Sequence, residues 1–269
     1  MKHILCPTDF SLTAENACFF AAKIAKKLSA SLVLVNAQHV PIIDAYTPPD
    51  TVTNLLNDNR KAAETQMHLL RHRVLEYCPG IQIETVVDFG LASDIVVDFS
   101  NNEKTETSLI IMGTKGATNA MDVMMGTTAS AVASKASVPT LVVPEKAEFE
   151  EFKKAAYATD YTKDTDQNLA RFLEFMAPFN AKCMAVHILK DSVDSNEMLN
   201  IIAHSKSPIS VVNIPGENIV DELNDFIWNS NIDVMALKRH KRNFWESLFH
   251  TSITKRMVYH SKVPVLILN

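Results

Sequence analysis

The residues best suited to chemistry lie between Ser108 and Ser130. Gly113, Lys115, Gly116 and the triplet Gly126-Thr127-Thr128 follow an apolar run from Leu109 to Met112. Glycines let a backbone turn at positive φ and let a ligand come close. A helix beginning at Thr127 would offer free N–H groups and the positive end of its dipole to an anion, and the two threonine hydroxyls would add donors. Lys115 would add a positive charge. The chemistry these residues suit is the holding of a phosphate. The spacing is Gly113, two residues, Gly116, nine residues, Gly126. It is neither the P-loop, which needs Gly-Lys-Ser/Thr, nor the Gly-x-Gly-x-x-Gly dinucleotide fingerprint. A strand-to-helix turn that needs its glycines only to reverse the chain would show the same residues, and that alternative stays open.

The elements that must position these residues alternate regularly. Residues 4–6, 31–37, 81–87, 109–112 and 138–143 read as strands, several of them continuously apolar, as strands covered on both faces are. Helices are expected over residues 14–28, with Thr13 as cap, and over 53–77, 92–100 and 127–137; the second stops at Cys78-Pro79-Gly80. This alternation predicts a doubly wound α/β domain, in which ligands sit beyond the carboxyl ends of the strands. Asp9, Ala37 and Gly113 all fall at such ends. Asp9, in Asp-Phe-Ser-Leu-Thr, also fits an Asx turn at a helix start.

The pattern then returns. Thr8-Asp9-Phe10-Ser11 is echoed by Thr159-Asp160-Tyr161-Thr162, Val86-Val87-Asp88-Phe89 by Val211-Val212-Asn213-Ile214, and Val138-Pro139 by Val263-Pro264. The chain reads as an internal duplication. Domains are expected over residues 1–145 and 153–269, joined by a charged linker over 145–154. The offset between echoes is 151 residues at Asp9 and 125 at Val86, so the second half has lost 26 residues between its second and third strands.

The glycine spacing, the Gly-Thr helix start and the duplication together resemble the universal stress protein family, in a tandem-domain form. The resemblance covers nearly the whole chain. It implies two five-stranded parallel-sheet domains of the adenine nucleotide alpha hydrolase-like fold, packed as a pseudo-dimer through their fifth strands, residues 138–143 and 263–268. It implies ATP as ligand, with ADP, AMP and an accompanying Mg2+ left open. Gly113, Gly116, Gly126, Thr127 and Thr128 would hold the phosphates and ribose, with Lys115 and Met112 in the same set. Asp9 would lie at the adenosine end, and the backbone at Ala37 would meet the adenine.

The second half departs from this pattern. Aligned on its last strands, Leu237, His240 and His250 replace the three glycines, and Thr251 and Ser252 remain at the helix start. Lys238 to Arg242 forms a basic run with Phe244 and Trp245 behind it. A solvated loop explains that run better than a nucleic-acid site does.

The net charge of −5 argues against a general nucleic-acid binder. No apolar run is long enough for a membrane span, and the N-terminus leads into a strand with no signal-peptide pattern, so a cytoplasmic protein is expected. Four scattered cysteines, including Cys6 at a strand end, read as free thiols. His68 and His72, four apart on a helix, have a metal-like spacing, but the sequence places no third ligand beside them. The expected function is an ATP-binding regulatory protein of the stress response whose nucleotide sits in the first domain. Its partners would be the nucleotide and the other half of the chain, with a homodimer open. A slow ATPase or other nucleotide-using enzyme, and a nucleotide-free scaffold, are the alternatives.

Overall fold

The computed structural model describes residues 2–40, 44, 46–114, 126–159, 165–189, 209–216, 219–239 and 263–269, with the backbone alone at 165, 166 and 220. Lys115, Gly116, Asp160 and the basic segment beyond Arg239 lie outside the described residues.

The first half runs β1 (His3–Pro7), α1 (Leu12–Leu28), β2 (Ser31–Gln38), α2 (Pro49–Tyr77), β3 (Ile83–Phe89), α3 (Ala92–Asn101), β4 (Thr107–Gly113), α4 (Thr127–Lys135) and β5 (Thr140–Val143). The second runs β6 (Lys154–Ala158), α5 (Thr165–Met176), β7 (Lys182–Leu189), β8 (Ser210–Pro215), α6 (Ile219–Ser230), β9 (Val234–Lys238) and β10 (Val265–Leu268). The strands form one ten-stranded sheet in the order β3-β2-β1-β4-β5-β10-β9-β6-β7-β8. Neighbours within each half are parallel, and β5 meets β10 antiparallel, with Leu141 opposite Leu266. All eight residues of that joint are buried. The order on one side of the joint mirrors the order on the other. The fold is α/β, two doubly wound five-stranded halves packed as a pseudo-dimer.

Alternation along each strand sends side chains to two apolar layers. Leu109 and Ile111 of β4 enter the layer under α1, α2 and α5, while Ile110 and Met112 enter the layer under α3, α4 and α6. Both layers run through both halves. The outer edge at β3 is covered from α2: Arg60 donates to Val87 O at 3.1 Å and Arg71 to Ile83 O at 3.2 Å. These arginines occupy carbonyls that another chain's strand would otherwise pair with.

The duplication extends to single hydrogen bonds. Thr8 N donates to Val35 O at 2.8 Å, and Thr159 N to Val186 O at 2.9 Å. Asn36 Nδ2 donates to Thr8 O at 2.8 Å, and His187 Nδ1 lies 2.8 Å from Thr159 O. Strand register corrects two of the sequence alignments by one residue. Val86 pairs with Val35 as Val212 pairs with Val186, so Val212 is the counterpart of Val86 and 25 residues are lost. Gly113 pairs with Val143 as Lys238 pairs with Leu268, so Lys238 and not Leu237 stands at the position of Gly113. A one-residue slip reverses every side chain of a strand, and only the pairing partners reveal it.

The segment expected to be a charged linker is built into the core. Phe152 is 2% exposed and Ala147 1%. The Phe152 ring stands 4.9 Å from Phe179 and 5.6 Å from Phe149, and Phe149 meets Phe20 edge-on at 5.0 Å. Asn16 Nδ2 reaches Pro144 O, Glu145 O and Ala147 O at 3.4, 3.2 and 2.8 Å. Lys27 pairs with Glu151 and holds that carboxyl below its ordinary pKa. The charges of this stretch face water while its apolar residues turn inward, a division that composition averages away.

Candidate functional site

The parallel pairing of β2, β1 and β4 brings their carboxyl ends to one edge of the sheet. Pro7, Gln38 and Gly113 close these strands. Asp9 follows β1, and its Oδ1 accepts from Ser11 N at 3.1 Å and from Ser11 Oγ at 2.6 Å. Ser11 Oγ in turn accepts from Ala14 N at 3.2 Å, so Ser11 caps α1, where Thr13 was expected to. The carboxylate thus builds the turn that starts the helix, as the Asx reading of this residue has it. Phe10 between them takes φ 62°, the left-handed region that a phenylalanine rarely occupies. Such strain clusters where a loop is held in one shape.

Gly113 is required by packing. A Cβ added there would meet Thr13 Cγ2 at 2.9 Å and Thr13 O at 3.1 Å. The glycine lets α1 lie against the end of β4, whatever it does for a ligand. Met112 is 5% exposed and its side chain belongs to the core, while its backbone pairs with β5. Ala37 is half-buried, one residue before the end of β2.

Gly126 is the N-cap residue of α4, at φ −66° and ψ 160°, a conformation open to any residue. Its N–H donates to Thr114 O at 2.5 Å. That bond sets the start of α4 against the end of β4. Gly126 has no side chain to cap the helix, and the N–H groups of its first turn, at Thr127, Thr128 and Ala129, have no intrahelical partner. The structure therefore brings Gly113, Gly126, Thr127 and Thr128 together and places Asp9 and Ala37 on the adjacent strand ends.

One residue of this edge was not singled out from the sequence. Asn36, 2% exposed, ties β2 to the loop after β1, and Gln38 donates to its Oδ1 at 2.5 Å. Its signal was a lone amide in the apolar run Leu32 to Ala37. Thr13 was expected only as a helix cap, and its contact with Gly113 gave no separable signal, because the two lie a hundred residues apart.

Cys6 and Cys18 have their sulfurs 3.6 Å apart in the core, and the mutual hydrogen bond and burial push the Cys6 thiol well above its ordinary pKa. A thiol that stays protonated at neutral pH is a poor nucleophile. His72 Nδ1 lies 3.5 Å from Glu76 Oε1, and no cluster of three metal-ligating side chains occurs among the described residues.

The model of the universal stress protein family matches residues 1–144, more than half of the chain. The chain belongs to the universal stress protein family. A universal stress protein of Methanocaldococcus jannaschii is 30% identical over 143 residues, spanning 53% of this chain and 81% of that protein. A second from the same organism is 26% identical over 160 residues, spanning 54% and 96%. The crystal structure of a universal stress protein from Archaeoglobus fulgidus has a TM-score of 0.71 with 14% identity, and the match covers 99% of this chain and 98% of that one. Both halves of this universal stress protein therefore fall within a fold seen whole in another member. No helix among the described residues is long and apolar enough to cross a membrane.

Proposed function

We propose that this protein binds ATP in its first half and acts as a nucleotide-responsive regulator of the stress response in the cytoplasm. Residues 1–145 form the nucleotide-binding domain in this reading, and residues 153–269 a partner domain whose own motif is lost. The observation that carries it is the bond from Gly126 N–H to Thr114 O, which presents the N-terminus of α4 beside the carboxyl end of β4. Phosphate groups suit such a helix start, since the orphan N–H groups and the dipole act together. Lys115 and Gly116 complete the motif in sequence. In the second half Lys238 stands at the Gly113 position, so a long side chain fills the place of a glycine.

Calorimetric titration with ATP is expected to give one site per chain, and Gly126→Val to remove it. The valine is free of backbone strain at φ −66°, so lost binding there reports the approach of the ligand. Two equal sites, or a folded Gly126→Val protein that binds as before, would overturn the reading.

Turnover is expected to be far below the enzyme median of roughly ten per second. Phosphoryl transfer needs positioned metal ligands and a group that orients the nucleophile. Asp9 Oδ1 accepts from Ser11 N and Ser11 Oγ at the start of α1, and Asp122 is the one acid within the glycine loop. The check is phosphate release at saturating ATP and Mg2+. Release near that median, lost in Gly126→Val, would replace the regulator by an enzyme.

A further inference from the structure

The opposite end of α4 is held by the second half of the chain. Arg239 Nη1 donates to Ala136 O at 3.1 Å, and Asn269 Nδ2 donates to the same oxygen at 2.7 Å and to Val138 O at 2.5 Å. Ala136 is the buried C-cap residue of α4. Its carbonyl is one of those a helix leaves without an intrahelical partner, and a cation there also meets the negative end of the dipole. The two side chains are themselves anchored. Arg239 N donates to Leu268 O at 2.7 Å, and Arg171 of α5 donates to Asn269 O. The Asn269 amide keeps this orientation although its Oδ1 is buried with no partner among the described residues, so the two carbonyls set it.

The arrangement runs in one direction. Strand register makes Thr114 and Pro144 the counterparts of Arg239 and Asn269. A threonine is too short to reach across the joint and a proline side chain has no donor, so the first half cannot return the contact through these positions. The half with the intact glycine motif receives the brace, and the half whose motif is replaced supplies it.

We propose that Arg239 and Asn269 are positioning residues through which the second half sets the orientation of α4, and with it the affinity of the nucleotide site at the other end of that helix. The inference rests on the first half being a nucleotide site. α4 has nine residues, a rod of about 13 Å at 1.5 Å per residue, so a tilt at Ala136 is carried to Thr127 and Thr128. The second half thereby keeps a function after losing its own glycines: it tunes a site to which it adds no ligand contact.

The test compares ATP titration and thermal unfolding for the wild type, Arg239→Ala, Arg239→Lys and Asn269→Ala. Arg239→Ala is expected to bind ATP about tenfold more weakly, within the range usual for coupling between sites, at a temperature where it is fully folded. Arg239→Lys, which keeps a cation and a donor, is expected to recover most of that loss. A role in stability alone would lower Tm and leave the affinity of the folded protein unchanged, and that result overturns the proposal. Should Arg239→Ala fail to fold, Asn269→Ala removes the bonds to Ala136 O and Val138 O and decides the matter by the same criterion. If the wild type binds no ATP, the functional reading falls separately. The brace is then judged by amide hydrogen exchange over residues 129–136, where an unchanged rate in Arg239→Ala overturns it.

Discussion

Phe152→Ala is expected to cost about 3–5 kcal/mol, the range for deleting a buried phenylalanine. At this chain length that lowers Tm by about 10 °C. The ring is 2% exposed and stands among Phe20 of α1, Phe149 of the connecting segment and Phe179 just after α5, at 6.2, 5.6 and 4.9 Å. It therefore touches both halves of the molecule at once. Truncation leaves a cavity where the two halves meet, and the neighbours are themselves rings held by other contacts, so little collapse can fill it. Calorimetric unfolding of the variant and of Phe152→Leu measures the effect. A loss under about 1 kcal/mol for alanine, the scale of a surface substitution, would show that residues 145–153 are a tether and that the shared core ends at β5.

Gly113→Val is expected to destabilise the fold by about 3 kcal/mol or more, at or above the upper end of ordinary overpacking. The added Cβ alone meets the Thr13 backbone oxygen at 3.1 Å and its methyl at 2.9 Å. Backbone in the first turn of α1 cannot swing aside as a long side chain can. The γ-methyl groups then add volume between β4 and α1, in a region whose neighbours Ala14 and Ala17 are buried. Gly113→Ala should show the smaller part of the same cost. Urea unfolding of the two variants is the measurement, and near-wild-type stability in both would mean that α1 yields easily. The result also bears on the proposed nucleotide site. Loss of ATP binding in Gly113→Val would report a displaced helix, whereas Gly126 stands at a φ open to any residue.

Much of this architecture was legible in the sequence because it depends on local pattern. The apolar runs at Leu32 to Val35 and Leu109 to Met112 gave the strands, and the intervals between them the helices. The echo of Thr8-Asp9 in Thr159-Asp160 gave the duplication, and the glycine spacing gave the family. Element ends were less legible. α2 begins at Pro49, four residues before the expected start, because proline is admitted in a first helical turn.

What the sequence by itself determined was the type of each element in the first half, the likeness of the second half to it and a set of residues to look for at one strand edge. What only the tertiary structure decided was who meets whom across long separations. Whether Gly113 serves a ligand or a helix depends on where Thr13 lies. Whether Glu145 to Lys153 tethers or packs depends on which face Phe149 and Phe152 turn inward. That Lys238 succeeds Gly113, and that Arg239 and Asn269 close the end of α4, follows from strand register and from the antiparallel joint of β5 with β10. Composition and periodicity carry the interactions a residue has with its own segment. A hydrogen bond to a carbonyl more than a hundred residues away leaves no trace in either, and it exists only once the chain has closed.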